Sequence, residues 1–129
     1  MQAALISLLL GDAGVIAIVG SRVHAVALPQ GTGWPALVLQ VIGGAPAYHM
    51  QGADRLVTSR VQIDCYGMAV GQAAALAAAV KALLGGFRAT HGGVRFQGVF
   101  LESERQGFEM SSAPDKGFRI SLDFMVHHS

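Results

Sequence analysis

Charged side chains are what this sequence has least of. Lysine, arginine, aspartate and glutamate make up 13% of its 129 residues, about half of the roughly 25% usual in soluble domains, while 52% of the chain is hydrophobic. Contact surfaces are depleted in charge at their centres, so part of this surface is expected to be covered in an assembly. An alanine- and glycine-rich composition, with 17 glycines, is the plainer account of the same scarcity. Positive charge is not in excess either. A net charge of +1 leaves no field to hold nucleic acid by counterion release, which argues against a sequence-specific nucleic-acid binder. The single cysteine, Cys65, excludes an internal disulfide. Pro29, Gly31, Gly33 and Pro35 interrupt the long uncharged stretch, so no run reaches the roughly 20 apolar residues of a membrane helix, and no membrane partner is expected. The opening MQAALISLLLGDAG lacks a basic region before its apolar run, so a cytoplasmic product is expected. The length suits one domain over residues 1–129.

What is present is organised around Arg55 to Gly86, where the hydrophobic period changes once. Val57, Val61, Ile63 and Cys65 alternate with Thr58, Arg60, Gln62 and Asp64, as in a half-buried strand; Ser59 alone interrupts the inner row. After Gly67, the residues Val70, Ala73, Ala74, Ala77, Val80, Leu83 and Leu84 form one helical stripe, ended by Gly85 and Gly86. Before this unit, Gln2 to Leu10 has helical spacing, and Asp12 is placed to cap a second short helix from Ala13 to Val19. Val23 to Leu28 reads as a brief extended piece and Pro29 to Pro35 as a loop holding Trp34. Ala36 to Ile42 is a nearly continuous apolar strand, covered on both faces or lying in a subunit contact. It is expected to pair antiparallel with Leu56 to Tyr66. Gly43 to Asp54 has no period and is too long for a tight turn, so it reads as a projecting loop.

Beyond the helix, Val94 to Glu104 is strand-like, with Val94, Phe96, Gly98 and Phe100 on one face and Gly98 as a possible bulge. Arg105 to Gly117 reads as a polar loop. Phe118, Ile120, Leu122, Phe124 and Val126 then alternate with Arg119, Ser121, Asp123 and Met125 in the clearest strand. The fold class is therefore α+β: about four antiparallel strands in one sheet, with helices packed on one face.

The residues that usually carry chemistry are not grouped. His24, His49, His91, His127 and His128 are scattered, and the adjacent pair would point to opposite faces of a strand. Neither zinc-finger nor helical metalloprotease spacing is present, so no metal or cofactor is expected. Cys65 falls on an apolar strand face, where a thiol is an inert core group rather than a nucleophile. Asp64 and Asp123 share polar strand faces with Arg60 and Arg119, which favours ion pairing at a structural or subunit contact over an acid-base site. No catalytic residue is assigned, and the chain does not read as an enzyme. Trp34, Tyr48, His49, Met50, Gln51 and Arg55 are large or polar groups in predicted loops or at a strand end, and with Arg60, Asp64, Arg119 and Asp123 they are the candidate assembly contacts.

The ordered set PALVLQVI at Pro35 to Ile42, HMQG at His49 to Gly52, RLVTSRVQIDCYG at Arg55 to Gly67, and RISLDFMVH at Arg119 to His127 resembles the tail-completion, or tail-terminator, proteins of long-tailed phages, prophages and gene transfer agents. The likeness spans Ala4 to His127, and its motifs carry no catalytic signature. It implies a small α+β subunit in a ring, commonly a hexamer, at the head-proximal end of the tail tube. Such a ring stops tube growth and meets the head connector, with DNA passing through it. The implied partners are copies of the chain itself, the major tail-tube protein and the head-tail connector. A head-closure or connector adaptor of the same kind of particle is the main alternative, and a small enzyme a weaker one.

Overall fold

A computed structural model describes the backbone of residues 1–26, 35–49, 52–110 and 116–128, and side chains within 1–26, 35–43, 57–107 and 118–128. Two helices open the chain, α1 (Gln2–Leu10) and α2 (Ala13–Val19). Asp12 starts the second as expected: its Oδ2 accepts from the Val15 N–H at 3.0 Å, satisfying one of the donors a helix leaves open at its N-terminus. Then follow β1 (Val23–Ala25), β2 (Ala36–His49), β3 (Gly52–Gly67), α3 (Val70–Leu84), β4 (Ala89–His91), β5 (Val94–Met110) and β6 (Lys116–His128).

The architecture is α+β, but the sheet has six strands rather than four, in the order β1-β2-β3-β6-β5-β4, and curls into a half-barrel. It is also not wholly antiparallel, because β1 runs parallel to β2. The expected β2–β3 pairing is present, with Leu37 opposite Cys65 and Leu39 opposite Ile63. Two segments read as loops are strands. Residues 43–49 and 52–54 continue β2 and β3, with His49 opposite Gly52, and residues 105–110 and 116–117 continue β5 and β6, with Met110 opposite Lys116. Glycine, proline and alanine give the first of these no hydrophobic period, but a ladder is made by backbone groups and does not require one.

Helix α3 lies across β3 and β6, and α1 against β1 and β2. The face of α3 that meets the sheet is Ala73, Leu76, Ala77, Val80 and Leu84; Leu76 replaces Val70 and Ala74, which are exposed. Alanines at Ala73 and Ala77 let the helix approach closely. At the strand-to-helix corner, a Cβ on Gly67 would sit 2.6 Å from the Ala73 nitrogen, a distance only glycine allows. The core beneath the helices contains Leu5, Leu9, Leu37, Leu39, Val61, Ile63, Leu122 and Phe124.

Bulges redistribute the faces of the outer strands. Between Phe96 and Gly98 the register shifts, the bulge expected at Gly98, so Phe96 and Val99 are buried while Phe100 is exposed and Phe96 and Phe100 do not share one face as read from the sequence. A second irregularity lies between Val41 and Gly43. It divides the apolar stretch of β2: Ala36 to Leu39 are buried, whereas Val41 and Ile42 are exposed.

Candidate functional site

The sheet face away from the helices carries the polar residues of the central strands, and two of its carboxylates are buried. Asp64 and Asp123 retain only 6% and 4% of their accessible surface, although alternation alone would turn them to solvent. Each is satisfied by donors from adjoining strands. The Ser121 hydroxyl donates to Asp64 at 2.6 Å, and the Gln62 amide at 3.0 Å; Ser121 stands directly across from Asp64 in the β3–β6 ladder. Ser103 donates to Asp123 at 3.0 Å, and Arg105 at 3.2 Å. Burying a carboxylate is tolerable when such hydrogen bonds replace water. The arrangement therefore ties β3, β6 and β5 together from their polar side.

The ion pairs differ from those expected of Arg60 and Arg119. Arg60 reaches Glu102 on β5 at 2.7 Å, an exposed pair of the kind contributing about 0–1 kcal/mol. Asp123 takes Arg105 as its cation. Arg119 lies over its cross-strand neighbour Gly107, where a Cβ would come within 3.4 Å of the guanidinium. Of the other candidates, Trp34, Met50 and Gln51 fall outside the described residues. Tyr48 and His49 close the β2–β3 ribbon opposite Ala53 and Gly52, and Arg55 lies on β3; their side chains are outside the described set.

The two C-terminal histidines point to opposite faces, as expected. His127 Nδ1 lies 3.0 Å from the Thr58 hydroxyl and its ring meets Phe100 edge-on, whereas His128 Nε2 lies 2.9 Å from the Ser59 hydroxyl. Ser59, the break in the inner row of β3, is thereby partnered. Burial, with smaller contributions from the positive amino terminus and His127, lowers the His128 pKa below the ordinary imidazole value. Cys65 is fully buried; burial first, then the charges of Asp64 and Glu104, push its thiol far above the ordinary range, so it is no nucleophile. Among the described residues, no three His, Cys, Asp or Glu side chains come together in a way that could hold a metal. What the exposed surface offers instead is apolar area: Val41 and Ile42 on β2, Phe100 and Leu101 on β5, and Met68 and Val70 at the start of α3.

Comparison with known proteins bears on the chain as a whole rather than on this surface. Residues 3–129 match the family model described as tail completion protein gp17. The chain belongs to that family. Among solved structures, a chain from the virion of the native gene transfer agent particle is similar over 99% of this chain and 93% of that one, with a TM-score of 0.79 and 27% identity. Curated proteins yield no match. The tail completion chain is thus a structural component of a phage-like virion or transfer-agent particle, and its ordered polar ladder and exposed apolar margins belong to a protein that assembles.

Proposed function

We propose that this tail completion chain forms a ring, a homohexamer, at the head-proximal end of the tail tube, where it ends tube polymerisation and joins the tail to the head connector. The carrying observation is the agreement of family and fold over the whole chain: the family match from residue 3 to 129, and the likeness to a virion chain over 99% of the length. A binding role of this kind also accounts for the scarcity of charge and for apolar side chains left at the sheet margins. Its partners are then further copies of the chain, the major tail-tube protein and the connector, with DNA passing through the ring.

The β2–β3 ribbon is the part placed to reach beyond the sheet. β6 accompanies β3 only as far as Val57, opposite His128, so residues 52–56 have β2 as their one partner strand among the described residues. Tyr48, His49 and Arg55 on this ribbon, together with Met50, Gln51 and Trp34, are assigned to contact the neighbouring subunit or the tube. Removing the gene from a particle-producing cell is expected to yield tails of irregular length or heads unjoined to tails, with both defects corrected by a supplied copy. Tails of normal length attached to heads in its absence would refute the assignment.

A further inference from the structure

The sheet ends in β1 and β4, three-residue strands that leave most of the outer edges of β2 and β5 without a partner among the described residues. β1 covers β2 only at Leu37–Leu39, and β4 covers β5 only at Val94–Phe96. The Gly86 N–H also takes the Val99 carbonyl at 2.8 Å. Among the described residues, the uncovered edges therefore begin at Gln40 on β2 and Phe100 on β5. Exposed edges are usually blunted by charge, because an unpaired edge is a template for another strand. Here Gln40 to Gly43 carries no charge, and Phe100 and Leu101 are apolar.

Backbone bonds already made identify the groups that face outward. The Leu37 N–H donates to Arg22, and the Leu39 carbonyl accepts from Val26, so both residues direct their backbone groups away from β3. Alternation along an antiparallel strand places Val41 the same way. On β5 the Val99 carbonyl points outward to Gly86, which likewise places Leu101 outward. The ladder Val41, Val61, Phe124, Leu101 runs straight across the sheet. Val41 and Leu101 thus stand at the same height on opposite margins, 39% and 42% exposed, each followed by a register shift.

Direction matches as well as height. β2, β3, β6 and β5 are successively antiparallel, so β2 and β5 run in opposite senses. Copies related by rotation about one axis all face the same way, which sets β5 of one copy antiparallel to β2 of the next. We propose that a second copy of this chain occupies these edges: Gln40–Ile42 of β2 pairs with Phe100–Glu102 of β5 of its neighbour, continuing the sheet from subunit to subunit. Val41 and Leu101 then meet as a hydrogen-bonded pair exchanging two N–H···O=C bonds. The contact joins two different patches, as ring closure requires. This inference rests on the ring reading above and names the surface that makes the ring.

Val41→Pro and Leu101→Pro each remove an outward N–H while sparing the ladder within the chain, and proline is tolerated on edge strands. With the full-length protein, light scattering after size-exclusion chromatography should show a closed oligomer for wild type and monomers for each variant. Mixing the two variants should give dimers and nothing larger, because the mixture holds one intact edge of each kind. Circular dichroism checks folding, and Ile42→Lys with Leu101→Lys repeats the test should a proline variant unfold. An oligomer unchanged in all these variants would overturn the edge pairing while leaving the ring; a dimer retained by one single variant would show like-with-like pairing and overturn it equally. Wild type that stays monomeric at every concentration would remove the ring reading and the pairing together.

Discussion

Adding one methyl group at Gly67 should destabilise the domain, whereas adding one four residues later should not. A Cβ at Gly67 would stand 2.6 Å from the Ala73 nitrogen, 3.1 Å from its Cα and 3.2 Å from the Ala69 carbonyl oxygen. All three are backbone atoms, so no rotamer change relieves the contact, and the first turn of α3 must move off the sheet. Overpacking of this kind costs about 1–3 kcal/mol. With an unfolding entropy of roughly 2.1 cal/mol/K per residue, a chain of 129 residues loses about 4 °C in Tm per kcal/mol, so Gly67→Ala should melt roughly 4–11 °C lower. Gly71 lies in the same helix, and a Cβ there meets nothing within 4 Å. Gly71→Ala should therefore gain about 0.4–1 kcal/mol from reduced freedom of the unfolded chain, melting slightly higher. Thermal unfolding followed by circular dichroism reads both. Equal melting temperatures for wild type and Gly67→Ala would refute the helix-sheet seam described here.

Ser121→Ala deprives buried Asp64 of its shortest hydrogen bond and should cost about 1–3 kcal/mol, read as a lower urea midpoint; an unchanged midpoint would mean that the polar ladder does not hold the central strands. For His128, the unfolded chain protonates at the ordinary value while the folded chain resists. Its contribution is therefore fully present above about pH 6.5 and declines as pH falls below that, until the folded group itself takes a proton. Urea midpoints from pH 7.5 to 5 should fall more steeply for wild type than for His128→Gln, and parallel curves would contradict the direction of this shift.

The elements with a clear period were legible from residues alone. Asp12 before Ala13–Val19, the helix α3, and the strand from Phe118 to Val126 each have one physical reading and each element is found, although the buried stripe of α3 takes Leu76 in place of Val70 and Ala74. The β2–β3 ribbon was not legible, because its glycines, alanines and proline are joined by a backbone ladder that leaves no side-chain signature. Asp64 and Asp123 fell on the polar face as expected, yet their burial depends on Ser121, Ser103 and Arg105, which only the strand register brings alongside. Likewise, Val41 and Leu101 are ordinary apolar residues in sequence. Their common height appears only once three ladders are followed across the sheet.

The central claim is a position in a particle, so electron cryomicroscopy of the tail-to-head junction tests it most directly. The account predicts a single ring of six copies of this chain between the last tail-tube ring and the connector, with β5 of each subunit hydrogen-bonded to β2 of the next. Finding the chain repeated along the tube, or solely on the head side of the connector, would contradict it.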